Sequence, residues 1–279
     1  MLDQIGHQKW TSRPDDALLA RIGALEVRLA TTPAELRAAQ RLRYAVFVDE
    51  MGATLAGADH GARTEADGFD TVCDHVIVID RTLPHIAGAP AVVGTYRALR
   101  PERAGSTGFY SQAEFDIAPL LARKPHLAFC EVGRSCVAPT HRAHGIIEAL
   151  WSGLFAYASR HGIDVYFGAG SLPGTDVACH AQTLALIAHG ALAPADWQIE
   201  AKGHDEVCLK SLPAPKDVAA ARRATPALIR GYLNMGARIG QTAHIDRAFG
   251  AIDVMVLTVL AQAPARYRRH FSRLSAIAS

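Results

Sequence analysis

Two short runs rich in β-branched residues, His75-Val-Ile-Val-Ile79 and Ala91-Val-Val-Gly-Thr-Tyr-Arg97, constrain this chain more than any other feature. Pro84 and Pro90 stand between them, which predicts two strands with a hairpin-like connection. Around them the period of the pattern changes repeatedly. Ala24–Ala30 alternates as a strand, and Thr31-Thr32-Pro33-Ala34-Glu35 supplies an N-cap, an early proline and an acidic first turn, predicting a helix through Phe47. Phe129–Val137 reads as a third such strand stopped by Pro139, Gly145–His161 as a helix closed by Gly162, and Ile163–Gly168 as a buried strand. This order predicts an α/β fold with helices on both faces of a sheet.

Residues 1–23 are expected to form a polar lead-in, 24–212 one domain, and 213–279 a C-terminal extension packed on it. Met51–Asp70, Gly-rich and acid-rich, reads as an ordered functional loop. Val177–Gly190 is helical in pattern, Pro213–Ala221 is a connector, Thr225–Leu233 begins a capped helix, and Ile252–Leu260 is a last strand. The tail Arg266–Arg273 alternates cations with Tyr267 and Phe271, a composition suited to an anionic membrane surface.

Lys+Arg 29 against Asp+Glu 27 gives a formal charge of +2, which argues against gripping a nucleic-acid backbone. The apolar runs are interrupted well before the roughly 18 residues of a membrane span, and the opening Met1–Trp10 lacks the pattern of a secretion signal. Cys73, Cys130, Cys136, Cys179 and Cys208 form no CxxC pair and no zinc-like cluster, so no metal is expected. They read as buried thiols in a reducing cytosol, which makes a cytoplasmic location the expectation.

The chemistry concentrates in Glu65-Ala-Asp67-Gly-Phe-Asp70, three carboxylates within six residues. Such acids repel one another unless cations hold them, and Arg43, Arg97 and Arg134 are the available partners. Glu131 and Arg134, three apart on a strand, share a side only if a bulge intervenes near Gly133. Four segments, Leu42-Arg43-Tyr44-Ala-Val-Phe47, Glu65-x-Asp67-x-Phe69-Asp70, Gly94-Thr-Tyr-Arg97 and Glu131-Val-Gly-Arg134, resemble the acyl-homoserine-lactone synthase relatives of the GNAT acyltransferase superfamily. Within that group, Glu131–Pro139, Arg160–Val165, Ser171–Asp176, Leu228–Leu233 and Ala265–Phe271 are similar to the ornithine N-acyltransferases of ornithine-lipid synthesis, and the likeness extends over about residues 24–273.

The resemblance implies a GNAT-like mixed sheet flanked by helices, and transfer of a 3-hydroxyacyl group from an acyl-carrier-protein thioester to the α-amine of ornithine, giving lyso-ornithine lipid. Glu65 and Glu131 are the candidate proton acceptors, and backbone N–H groups at Cys136 and Val137 are placed beside the thioester oxygen. Cys136 competes poorly as a nucleophile, because no histidine sits in a partner motif. Arg97 or Arg134 is suited to the ornithine carboxylate and Asp67 or Asp70 to its distal ammonium, with Arg43 and Phe47 completing the substrate set. The same acids and arginines equally suit a structural clamp beneath the site. His141, Arg142, His144 and Gly145 before a helix, together with Arg160, form the expected contact with the carrier and its phosphopantetheine phosphate. No permanently bound cofactor is expected, and the implied partners are the acyl carrier protein, ornithine and a membrane surface. The alternatives are an acyl-homoserine-lactone synthase, whose shorter chains leave residues after about 215 unexplained, and a non-catalytic acyl-binding protein at the membrane.

Overall fold

The computed structural model describes residues 17–85, 88–142 and 145–275, so most of the expected lead-in, residues 1–16, lies outside the described residues. The chain divides into two compact units, Met1–Thr107 with Glu131–Ile163 and Arg266–Ser279, and Gly108–Cys130 with Asp164–Ala265.

In the first unit, strands β1 (Leu18–Ile22), β2 (Leu25–Leu29), β5 (Asp74–Asp80), β6 (Val92–Leu99) and β7 (Phe129–Val137) pair successively, each antiparallel to the next. A two-stranded ribbon, β3 (Ala58–Asp59) with β4 (Thr64–Glu65), lies in the acidic loop. Helices α1 (Pro33–Arg43), the single-turn α2 (Pro101–Ala104) and α4 (Ile146–His161) belong to this unit, as does α8 (Ala265–Ser275). Strand β5 is buried on both faces, as its unbroken apolar run requires. Register assigns its flanks to opposite sides of the sheet: Asp74 pairs with Ala98, and His75 with Arg97. Tyr157 of α4 donates to Asp74 at 2.6 Å, so α4 covers the Asp74 side. On that side Gly94 lets α4 approach closely, since a Cβ there would stand 2.5 Å from Cγ2 of Ile146, which would have to shift. Arg97 and His75 face the other side, toward α1 and the acidic loop.

Helix α1 starts where expected, with Thr32 and Glu35 forming a capping box. It does not run unchanged through Phe47. From Tyr44 to Glu50 the backbone widens into a π-helix, in which the Met51 N–H donates to the Val46 carbonyl five residues back. Strand β1 falls within the stretch read as lead-in and is held by pairing with β2.

The second unit pairs β8 (Val165–Pro173), β11 (Ala251–Val259), β10 (Arg238–Asp246) and β9 (Glu206–Cys208), again antiparallel. Helices α3 (Ala118–Arg123), α5 (Ala181–Gly190), α6 (Val218–Ala224) and α7 (Ala227–Asn234) accompany it. Its core gathers Leu172, Leu184, Ile187, Ile229, Ile239 and Ile252, all fully buried, each stabilising by roughly 1.5–3 kcal/mol through transfer from water. Residues 213–279 therefore supply two strands of this sheet, and α6 occupies much of the expected connector. Cys179 and Cys208 are exposed, which corrects the expectation of five buried thiols; Cys73, Cys130 and Cys136 are buried.

Candidate active site

The acidic loop folds back on itself at Gly57, whose carbonyl accepts from the Ala66 N–H at 3.0 Å. A Cβ at Gly57 would overlap the Ala66 carbonyl, so only glycine permits this approach. Glu65 then ends the ribbon, Asp67 caps the next turn by accepting from the Phe69 N–H at 2.9 Å, and Asp70 lies in that turn.

Three arginines from three elements meet these acids. Arg43, at the end of α1, donates through Nη1 and Nη2 to the two Asp70 oxygens, and its Nε stands 2.7 Å from Glu65 Oε2. Arg97 of β6 bridges Asp67 at 2.5 Å and Asp70 at 3.1 Å. Arg134 of β7 reaches Glu65 Oε1 and Asp67 Oδ2, both at 3.2 Å. Traced in order, Arg43, Asp70, Arg97, Asp67, Arg134 and Glu65 close a six-membered ring of alternating sign with no net charge. Buried charges persist when paired and hydrogen-bonded in this way.

Arg134 enters the ring through the expected irregularity. Arg97 pairs with Gly133 but Thr95 pairs with Cys136, so Arg134 and Ser135 together oppose Tyr96 alone. Arg134 adopts φ +52° at this bulge, a left-handed conformation costly for a residue with a side chain. Glu131, paired with Leu99, falls on the Arg97 face and is buried.

Burial separates the six ring members. Arg43 is fully buried, and the Glu65, Asp70, Arg97 and Arg134 side chains are at most 9% exposed, whereas Asp67 is 22% exposed. Asp70 also accepts from Gln40 Nε2 at 3.0 Å, so both of its oxygens are saturated by protein donors. Burial opposes the charge on Asp70, but Arg43 overcomes it and holds the carboxyl well below the usual range. Burial likewise opposes charge on Asp67, and Arg97 and Arg134 hold it low. Asp70 and Arg43 are thus buried, with their charged groups partnered within the protein.

Sequence reasoning missed Gln40, one helical turn before Arg43, and His75, whose Nε2–H donates to the Asp70 carbonyl at 3.0 Å. Burial pushes the His75 pKa down. The β6 register with Arg97 is the signal that locates His75. It also missed Tyr44, which shares a hydrogen bond of 2.7 Å with His60 Nδ1 at the start of the π-helix; Phe47 is buried in the same turn.

The Cys136 thiol is buried and pushed up to about 12 by that burial, so it holds its proton at neutral pH. Val137 follows it on β7, opposite Gly94. Gly145 begins α4 with φ +71°. Arg142 makes a two-pronged pair with Glu50 at 2.7 and 2.6 Å, and His141 lies 3.4 Å from Asp80. His144 lies outside the described residues. The expected single cationic patch is not formed, because Arg160 lies at the opposite end of α4, where it donates to the Leu18 carbonyl. Phe271 is buried against Trp151 and Phe155 with Tyr267 stacked on it, so the aromatics pack inward while Arg266, Arg268, Arg269 and Arg273 are exposed.

Among the described residues no helix is long and apolar enough to cross a membrane. Residues 42–152 match the family model for the acetyltransferase (GNAT) domain. The chain is 40% identical over 264 residues to an L-ornithine N(alpha)-acyltransferase of Brucella abortus (strain 2308), covering 94% of each chain. It is 42% identical over 249 residues to one of Rhodobacter capsulatus, covering 89% of this chain and 95% of that protein. Among solved structures, an N-acyl amino acid synthase from uncultured soil microbes superposes with a TM-score of 0.50 at 12% identity, covering 88% of this chain and 94% of that one, a likeness of fold.

Proposed function

The chain belongs to the L-ornithine N(alpha)-acyltransferase family of acyltransferases, and from that premise we propose that it transfers a 3-hydroxyacyl group from an acyl-carrier-protein thioester to the α-amine of ornithine, giving lyso-ornithine lipid. The observation that carries this reading is the closed ring of buried arginines and acids, with Asp67 its most exposed member. A mere acyl-binding protein has no use for such a group beside an amine.

In this reading the neutral α-amine attacks the thioester carbonyl directly. A C–N bond forms and the C–S bond breaks; the amine's proton passes to a carboxylate, and the departing carrier thiolate takes that proton from the carboxylic acid and leaves as the thiol. Glu131 is the acceptor we favour, directly or through a water. Both Glu65 oxygens already face guanidinium nitrogens, which makes Glu65 a poor base and a good positioning group. Asp67 meets the distal ammonium, Arg97 or Arg134 the carboxylate, and Phe47 lines the substrate side. Backbone N–H groups at Cys136 and Val137 serve the developing oxyanion. The protonated Cys136 thiol supports attack without an acyl-enzyme.

The phosphopantetheine phosphate would meet the backbone leading into α4 around His141, Arg142 and Gly145. The exposed arginine face of α8 supports peripheral contact with anionic headgroups on the cytoplasmic side. Mass spectrometry of lipids from cells expressing this chain, with and without added ornithine, is the test. A monoacylated ornithine that increases with ornithine is expected, and its absence from cells containing the folded protein would refute the reading.

A further inference from the structure

The second unit contains a cavity of about 350 Å³ that shares no residue with the ring. Arg222 of α6, Arg230 of α7 and Arg238 of β10 line it, together with the apolar Leu186, Leu233 and Ala237. No aspartate or glutamate lines it. Among the described residues none of the three guanidiniums has a carboxylate partner.

Helix capping accounts for part of this arginine content. Arg230 Nη1 donates to the carbonyls of Arg222 and Thr225 at 3.3 and 3.2 Å, and Arg238 Nη1 reaches the Gly190 carbonyl at 3.5 Å. These carbonyls lie at or near the ends of α6 and α5. Capping occupies a single nitrogen of Arg230 and of Arg238, and Arg222 caps nothing. The C-terminal ends of α5, α6 and α7 each contribute roughly half a negative charge, which leaves the three guanidiniums with an excess above one positive charge.

We propose that this cavity binds a phosphate monoester carried on a short apolar stem. The charge excess matches a phosphate dianion better than a single carboxylate, and guanidinium forks suit phosphate oxygens. Leu186, Leu233 and Ala237 supply the wall against which the stem is desolvated. The proposal is independent of the acyl-transfer reading, since the two sites have no side chain in common.

Calorimetric titration of the whole chain with butyl phosphate, inorganic phosphate and butanoate tests it. Butyl phosphate is expected to bind most tightly and butanoate least. Arg222→Gln and Arg238→Gln should each weaken butyl phosphate by about tenfold, the loss of one charge-assisted contact. Arg222 is exposed and makes no side-chain hydrogen bond, so its variant tests the site without disturbing a cap. No binding of butyl phosphate by the unmodified chain would overturn the proposal. Equal affinity for inorganic phosphate, tighter binding of butanoate, or an unchanged affinity in both variants would do the same.

Discussion

Arg43 meets Asp70 with both terminal nitrogens, Nη1 to Oδ1 at 2.8 Å and Nη2 to Oδ2 at 2.5 Å, and this pair fastens the acidic loop to the end of α1. Lysine offers a point charge in place of the planar fork and cannot also span Glu65. Arg43→Lys is therefore expected to cost about 3–5 kcal/mol, the range for breaking a buried ion pair. Urea unfolding followed by circular dichroism checks this, and an unchanged midpoint would contradict the clamp.

The two glutamates should separate by what fails. Glu131→Gln is expected to lower kcat by about 10²–10⁴, the usual contribution of a positioned proton acceptor. Glu65→Gln should lower the urea midpoint as well as kcat, because it strips Arg43 and Arg134 of a counter-charge. Steady-state kinetics beside denaturation curves distinguishes them. A Glu131→Gln enzyme with normal kcat would remove that residue from the chemistry.

Acid should weaken the fold in two stages. Burial pushes the His75 and His161 pKa values down, so the unfolded chain takes up protons first as pH falls below about 6.5, and stability starts to decline there. Asp70 and Asp67 are held low by arginines, so their contribution is present above pH about 4 and is lost as pH falls further. Denaturant midpoints from pH 7.5 to 3 should show both limbs. His75→Gln should flatten only the upper one, in part, since His161 remains.

Alkylation of the native protein at pH 8 should label Cys179 and Cys208 and spare Cys73, Cys130 and Cys136. Burial pushes the Cys73 and Cys136 thiols up to about 12. Peptide mass spectrometry reads the pattern. Cys136→Ala should keep kcat within about threefold, because no covalent step passes through the thiol; a larger loss argues for a nucleophile.

Gly94→Ala should destabilise by about 1–3 kcal/mol, the cost of overpacking, because the added methyl meets Ile146 of α4. Thermal unfolding measures it, and an unchanged melting temperature would mean that α4 shifts freely on the sheet.

Much of this is legible in the amino-acid sequence. Phe129–Val137 forms a strand with the expected bounds because its apolar residues and the following proline mark both limits. Strand β10 is hidden in the sequence, since Arg238–Asp246 carries Gly240 and Gln241 and a register shift that obscure alternation. The π-helix left no sequence signal, because a wider turn uses the same residue types as an α-helix. The acids and arginines of the ring were named from the chain. Which oxygen meets which nitrogen depends on Gly57 and on the β7 bulge, and neither contact is local.

The bulge also makes β7 unusually sensitive to length. Loops absorb insertions and deletions readily, but loss of one codon at Ser135 would turn Arg134 toward α4 while leaving residues 129–133 in their pattern. Such a chain would keep much of its core and lose the link between Glu65 and Asp67, so frame-preserving gaps within this strand disable the protein more severely than most point substitutions.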